Sequence, residues 1–146
     1  MASDTLDLGE LLCFAVYSTG LAFNRIYKPL LDELGLTYPQ YLVMMVLWNQ
    51  NGQTVGQIGQ RLFLDSSTLT PLLKRLQAAG YLNRNRDTAD ERVVRVQLTE
   101  AGRNLKERAR TVPGCVLDAT GRTANEARQL KADIESLRDA LNRASH

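Results

Sequence analysis

The chain has a single histidine, His146 at its last position, and only two cysteines, Cys13 and Cys115. That scarcity leaves no set of ligands at zinc-site spacing. It also leaves no histidine placed to activate a serine or cysteine nucleophile, and no Gly-rich phosphate loop is present. No apolar run is long enough to span a bilayer. The acidic start, Met1-Ala2-Ser3-Asp4-Thr5-Leu6-Asp7, lacks the basic and apolar character of a signal peptide. These absences predict a cytoplasmic protein that is not an enzyme, with no metal, cofactor or membrane partner. In that compartment stable structural disulfides are uncommon, so two cysteines are either inert filling or a redox device.

What is present is an ordinary globular composition, 44% hydrophobic and 23% charged over 146 residues, enough for one domain with a real core. Net charge is only +2, so its distribution matters more than its sum. Between Lys74 and Arg95 lie six basic residues, Lys74, Arg75, Arg84, Arg86, Arg92 and Arg95, against Asp87, Asp90 and Glu91. Taken alone this reads as a solvated charged hairpin; it also suits a polyanionic partner.

Apolar positions from Leu8 to Leu34 recur at helical spacing for about seven turns, with Pro29 expected to kink or split the helix near Lys28 and Gly35 to end it. Thr37-Tyr38-Pro39-Gln40, Thr54-Val55-Gly56-Gln57 and Thr123-Ala124-Asn125-Glu126 have the form of capping boxes. They predict helices from Tyr41 to Trp48, from Thr54 to Phe63, and from Thr123 to Arg143. Asp65 is the expected N-cap of a helix over 66–79, stopped by Gly80. The period then changes to that of two strands, 81–86 and 92–98, around a polar turn. Thr99 should cap a helix to about Thr111 that is interrupted at Pro113-Gly114. A stripe as long as the first cannot be hidden against one small core. We therefore expect a homodimer joined through the terminal helices, 1–36 and 99–146; a monomeric bundle is the alternative.

The order of elements within 37–98 is that of a winged helix-turn-helix, giving a mainly α fold with a small β-hairpin wing. The second helix of such a unit lies in the major groove of double-stranded DNA and offers its N-terminal residues to base edges. Here these are Ser66, Ser67, Thr68 and Thr70, with Lys74 and Arg75 one to two turns on for phosphates or guanine. Leu69, Leu72, Leu73 and Leu76 form the opposite face, and Pro71 predicts a local distortion. Arg84 and Arg86 add charge on the hairpin. Arg92 at the wing tip suits a narrow minor groove, with Asp90 orienting it through a bidentate pair.

The stretches Asp65-Ser66-Ser67-Thr68-Leu69-Thr70-Pro71-Leu72-Leu73-Lys74-Arg75-Leu76 and Asp87-Thr88-Ala89-Asp90-Glu91-Arg92-Val93-Val94-Arg95 resemble the recognition helix and wing of the MarR family. Leu12-Cys13-Phe14-Ala15-Val16-Tyr17-Ser18, Tyr27-Lys28-Pro29-Leu30-Leu31 and Leu36-Thr37-Tyr38-Pro39-Gln40-Tyr41 are similar to its organic hydroperoxide resistance (OhrR) branch. The resemblance implies a dimeric repressor that leaves its operator when an organic hydroperoxide oxidises the N-terminal cysteine. It also implies that the thiol is hydrogen-bonded by two tyrosines of the partner chain.

By position alone Cys13 is a small hydrophobe in a helix stripe. A sensor thiol needs its thiolate stabilised, and tyrosine hydroxyls are suitable donors. Tyr17 is one turn away on the same face. Tyr27 is fourteen residues on, about 21 Å along an unbroken helix, so Tyr27 and Tyr38 reach Cys13 most simply from a second subunit. In two-cysteine members of the branch the second thiol closes a disulfide across the dimer. Cys115 is the candidate resolving residue, placed after Pro113-Gly114 where the backbone could rearrange; an ordinary buried helical thiol is its other reading. Leu12, Phe14, Phe23, Leu42 and Met45 could line an apolar approach for the peroxide or be plain core. Two rival functions remain at this level: a repressor of the same family controlled by a noncovalently bound aromatic ligand, and a thiol peroxidase.

Overall fold

Side-chain oxygens set most of the helix starts. In a computed structural model of the chain, which describes residues 6–145, all three expected capping boxes form. Thr37 accepts from the amide of Gln40, Thr54 from Gln57 and Thr123 from Glu126, and each third-position side chain reaches back to the cap amide. They open α2 (Tyr38–Asn49), α3 (Val55–Leu62) and α7 (Ala124–Ala144). Asp65 caps α4 (Ser66–Ala78) through the amide of Thr68 at 2.9 Å, and Thr99 caps α5 (Glu100–Ala109) through that of Gly102 at 3.1 Å. The segment up to Thr5 and the terminal His146 lie outside the described residues.

The first helix differs from expectation at both ends. Leu8–Glu10 is a separate 3-10 turn and Leu11 is extended, so α1 runs from Leu12 to Asp32. Asp7 causes the break, since its carboxylate caps the turn through Gly9 and starts a helix that stops after three residues. The expected split at Pro29 is absent. The helix continues through it, because proline there forfeits a single hydrogen bond close to the end. Pro71 likewise lies inside an unbroken α4. Three helices end in the same six-residue wrap: Leu36 N–H reaches Leu31 O after α1, Tyr81 N–H reaches Leu76 O after α4, and Leu64 N–H reaches Gly59 O after α3. The left-handed residue of the second wrap is Gly80, at φ 87°. Phe63 fills the equivalent place after α3 with a side chain, at φ 60°.

The expected hairpin is β2 (Leu82–Arg86) and β3 (Val94–Leu98), paired antiparallel with Leu82 opposite Leu98 and Arg86 opposite Val94. A third strand, β1 (Gln53–Thr54), joins the outer edge of β3 and had no sequence signature, being only two residues long. Helix α2 is buried almost all round, through Tyr41, Val43, Met44, Val46 and Leu47, and lies at the centre of a unit with α1, α3, α4 and α5. Leu69, Leu72, Leu73 and Leu76 of α4 are buried as expected and meet Ile58, Leu82 and Val96 in the same core. This compact unit ends at Arg110.

A second unit begins at Thr111 and holds α6 (Val112–Ala119) and α7. The helix expected to run to about Thr111 and break at Pro113-Gly114 does break, but at 110–111, and Pro113-Gly114 lie inside the first turn of α6. Proline fits a first helical turn because the amide it lacks has no partner there anyway. Within α6, Val112 and Val116 are buried; α7 buries none of its residues and leaves Leu130, Ile134 and Leu141 exposed.

One contact admits no side chain. A β-carbon on Gly102 would stand 2.0 Å from the carbonyl oxygen of Tyr81 and 3.2 Å from a methyl of Leu98. Alanine would add about 1 kcal/mol of helix propensity, but a backbone carbonyl cannot move aside as a side chain can. Gly102→Ala is expected to lower stability by about 2 kcal/mol or more, read as a lower urea midpoint; an unchanged midpoint would show that α5 can shift away from Tyr81.

Candidate nucleic-acid interface and thiol site

Helix α4 presents Ser66, Ser67 and Thr68 to solvent at its first turn, with Thr70 half-buried and Lys74 and Arg75 exposed further along. The Asp65 carboxylate receives the Ser67 hydroxyl at 2.7 Å as well as the Thr68 amide, and these bonds hold its pKa below the usual carboxylate range. Ser67 is thus oriented by the cap, and the Thr68 side chain also leans on the Asp65 carboxylate.

The wing is internally tied. Arg92 donates from Nε to one Asp90 oxygen and from Nη2 to the other, each at 3.1 Å, the bidentate pair expected from the sequence. The pair lowers the pKa of Asp90 and raises that of Arg92, while the Arg92 side chain remains 90% exposed. Sequence reasoning did not supply the partners of the other wing arginines. Arg84 donates to the Gln77 side chain on α4 at 2.8 Å, Arg86 to the Glu91 carbonyl at 2.8 Å and Arg95 to the Gly52 carbonyl at 2.7 Å. These bonds join segments distant in sequence or across a loop, so no local pattern announces them.

Cys13 is a free, exposed thiol in the first turn of α1, and Tyr17 one turn on is 64% exposed. Along α1, Leu12, Val16, Phe23 and Ile26 are exposed on one apolar side of the helix, and Phe14 and Leu21 are exposed on the opposite side. Of the residues that could line a peroxide approach, Leu12 and Phe23 lie on the first side and Phe14 on the second, while Leu42 and Met45 are half-buried on α2. Near the other end of α1, Tyr27 stacks on Tyr38 with ring centres 4.7 Å apart. Tyr41 joins them at 5.8 and 6.3 Å and then meets Trp48 edge-on at 6.5 Å. Tyr41 was overlooked as a member of this group, although its spacing of three from Tyr38 on a helix puts the two on one side. The Trp48 indole donates to the Gly102 carbonyl at 2.9 Å. α1 is unbroken between Cys13 and Tyr27, so about 21 Å separates them within one chain. Cys115 is exposed on α6, its amide bonded to the Thr111 carbonyl at 3.2 Å. It therefore sits on a regular helix, and the expected irregular backbone is absent.

Burial, reinforced by Tyr38 and Tyr41, pushes the Tyr27 phenol up to about 12; burial also raises Tyr38, and raises Tyr41 with Tyr38 beside it. The three hydroxyls are therefore protonated near neutrality and available as donors. Because the folded pKa of Tyr27 is raised, its neutral form adds stability fully present below about pH 10 and lost as pH rises toward 12. Phenolate absorbance should show a step near pH 12 that Tyr27→Phe removes, and Tyr27→Phe should flatten the loss of stability over that range. A Tyr27 step at the ordinary value near 10 would contradict the packed cluster.

Residues 25–109 match the family of transcriptional regulators described as SarA/Rot. The chain is 51% identical over 139 residues to the HTH-type transcriptional regulator TtmR of Methylorubrum extorquens, covering 95% of this chain and 71% of that one. It is 42% identical to the organic hydroperoxide resistance transcriptional regulator of Bacillus subtilis, covering 95% of each. Among solved structures it superposes on reduced, DNA-bound AbfR with a TM-score of 0.82 at 34% identity, over 95% of each chain. AbfR, a Staphylococcus epidermidis protein, has also been solved overoxidised on DNA, TM-score 0.76, and in a disulfide form, TM-score 0.62. On these matches the chain belongs to the SarA/Rot and MarR group of winged-helix, DNA-binding transcriptional regulators.

Proposed function

We propose that the chain is a homodimeric cytoplasmic repressor that holds operator DNA while Cys13 is reduced and releases it when an organic hydroperoxide oxidises that thiol. The observation that carries this is the layout of α1: a free thiol at one end of a bare apolar face and a cluster of protonated tyrosines at the other. Two copies of α1 laid antiparallel cover both apolar faces and bring Tyr27 and Tyr38 of each chain to Cys13 of the other, with Tyr17 beside it. α7 carries a second uncovered stripe, consistent with a dimer built from 1–36 and 99–146. Support also comes from the Bacillus subtilis relative, named for organic hydroperoxide resistance, and from AbfR, known both reduced on DNA and in a disulfide form.

The chemistry balances without a cofactor. The Cys13 thiolate attacks the outer peroxide oxygen, the O–O bond breaks, and the alkoxide leaves and takes a proton as the alcohol. Cys13 becomes a sulfenic acid, oxidised by two electrons. The Cys115 thiol of the partner then displaces water and forms the disulfide. That bond needs Cα atoms within about 7 Å; if the reduced dimer holds the thiols further apart, closing it moves helices and changes the spacing of the two α4 helices. Half-sites one DNA turn apart tolerate no such change. On the DNA, Ser66, Ser67, Thr68 and Thr70 face bases and phosphates, Lys74 and Arg75 follow, and Arg92, held by Asp90, enters the minor groove.

The test uses a duplex enriched from random DNA by the reduced protein. One equivalent of cumene hydroperoxide should release wild type from it, and non-reducing mass mapping should find an intersubunit Cys13–Cys115 link. Cys13→Ser should bind as wild type and stay bound after peroxide. Should Cys13→Ser still release DNA, thiol sensing is wrong and control by a noncovalent aromatic ligand takes its place. Cys115→Ser should accumulate Cys13 sulfenic acid with no link, and a link surviving in that variant would exclude Cys115 as the resolving residue.

A further inference from the structure

The six cations between Lys74 and Arg95 are not in equivalent situations. Lys74 and Arg75 are exposed, and their side chains make no hydrogen bond or ion pair among the described residues. Arg92 is 90% exposed and tied only to Asp90, two residues away. Arg84, Arg86 and Arg95 each join two segments of the reading unit. Arg84 ties β2 to α4 through Gln77; Arg86 closes the wing loop on the Glu91 carbonyl. Arg95 ties β3 to the Gly52 carbonyl and faces Asp87 at 3.5 Å.

We propose that these three are positioning residues, Arg84 with Gln77 foremost, and that Lys74, Arg75 and Arg92 supply the phosphate charge. The proposal rests on the DNA-reading assignment above and changes the role expected for Arg84 and Arg86. Each of these three guanidiniums commits part of its five-donor fork to a bond between two segments, so the fold fixes its place, whereas Lys74 is held by no such bond and Asp90 ties Arg92 only within the wing tip. Gln77 lies one turn beyond Lys74 on α4, so its bond to Arg84 sets the angle between the reading helix and the wing. A wing held at one angle favours one operator geometry and contributes little to binding that ignores sequence.

The roles separate in a salt series, because each phosphate contact adds about 0.9 to the slope of log affinity against log salt. The full-length reduced protein is measured on the enriched duplex and on a scrambled duplex of equal length. Gln77→Met and Arg84→Met are each expected to weaken the enriched duplex by roughly two- to tenfold, the size of one hydrogen bond. Both should leave the scrambled duplex and the salt slope unchanged, and the double variant should be no weaker than either single one. Lys74→Met should lower the slope by about 0.9 per subunit on both duplexes. If Arg84→Met lowers the slope as Lys74→Met does, or if the two losses add, Arg84 touches phosphate and the proposal is overturned. If Arg84→Met melts below the assay temperature, Gln77→Met alone decides, since it leaves the Arg84 charge in place: wild-type affinity on the enriched duplex overturns the proposal. If wild type enriches no duplex, the DNA-reading assignment fails first and the proposal with it.

Discussion

The first unit is organised around the approach of Gly102 to the Tyr81 carbonyl. No side chain fits between them, so α5 is held against the start of β2 at backbone distance. The Tyr81 carbonyl also accepts the Thr99 amide at 3.1 Å, and the Thr99 hydroxyl donates to the Gly80 carbonyl at 2.6 Å. The end of β3 and the beginning of β2 are thus closed on each other at the helix that follows them. Trp48 fixes the remaining direction, since its indole donates to the Gly102 carbonyl and anchors α5 on the buried α2. The wing is in this way set by the core, although its own loop is exposed.

The same anchor gives the tyrosine cluster a physical neighbour. Tyr27 and Tyr38 touch Tyr41, Tyr41 meets Trp48, and Trp48 holds the helix against which the wing is set. Contiguity of this kind is not coupling by itself. Its content is that the members sit on α1, α2 and α5, which are rigid elements, so a change in how Tyr27 is held has few ways to dissipate locally. The Arg108 side chain adds a second tie between the same regions, donating from α5 to the Glu33 carbonyl at the end of α1. A cation there also suits the negative end of the helix.

Much of this was legible in the sequence wherever the determinant was local. Three capping boxes, the Asp65 cap and the Asp90–Arg92 pair depend on residues within four positions of one another, the leucine face of α4 on two helical turns, and each is found in place. The failures also have local causes. Pro29 falls near a helix end, where few amides need partners, and α1 runs through it, while the break expected at Pro113 falls two residues earlier. Asp7 as the cap of a short turn was passed over in favour of the longer apolar period. What could not be read were contacts across the fold: β1 on β3, Trp48 on Gly102, and the acceptors that take up Arg84 and Arg95. Partners of that kind leave no trace in spacing, so the sequence offered Arg84 and Arg86 as hairpin charge alone.

That distinction bears on how such a protein can be switched. If all six cations met phosphates, binding would be dominated by counterion release, which depends little on where the two reading helices stand. A change of spacing would then leave most of the affinity intact, and oxidation would be a weak signal. On the proposed division of roles, with Arg84, Arg86 and Arg95 tied to protein acceptors, fewer charges per subunit would hold the duplex and a larger share of binding would depend on geometry. Net charge of only +2 is consistent with that economy. A repressor of this build binds weakly wherever the two α4 helices and wings do not match their half-sites together. Under the proposed thiol mechanism, a single covalent event at the dimer interface would then need to move them only slightly to be read as release.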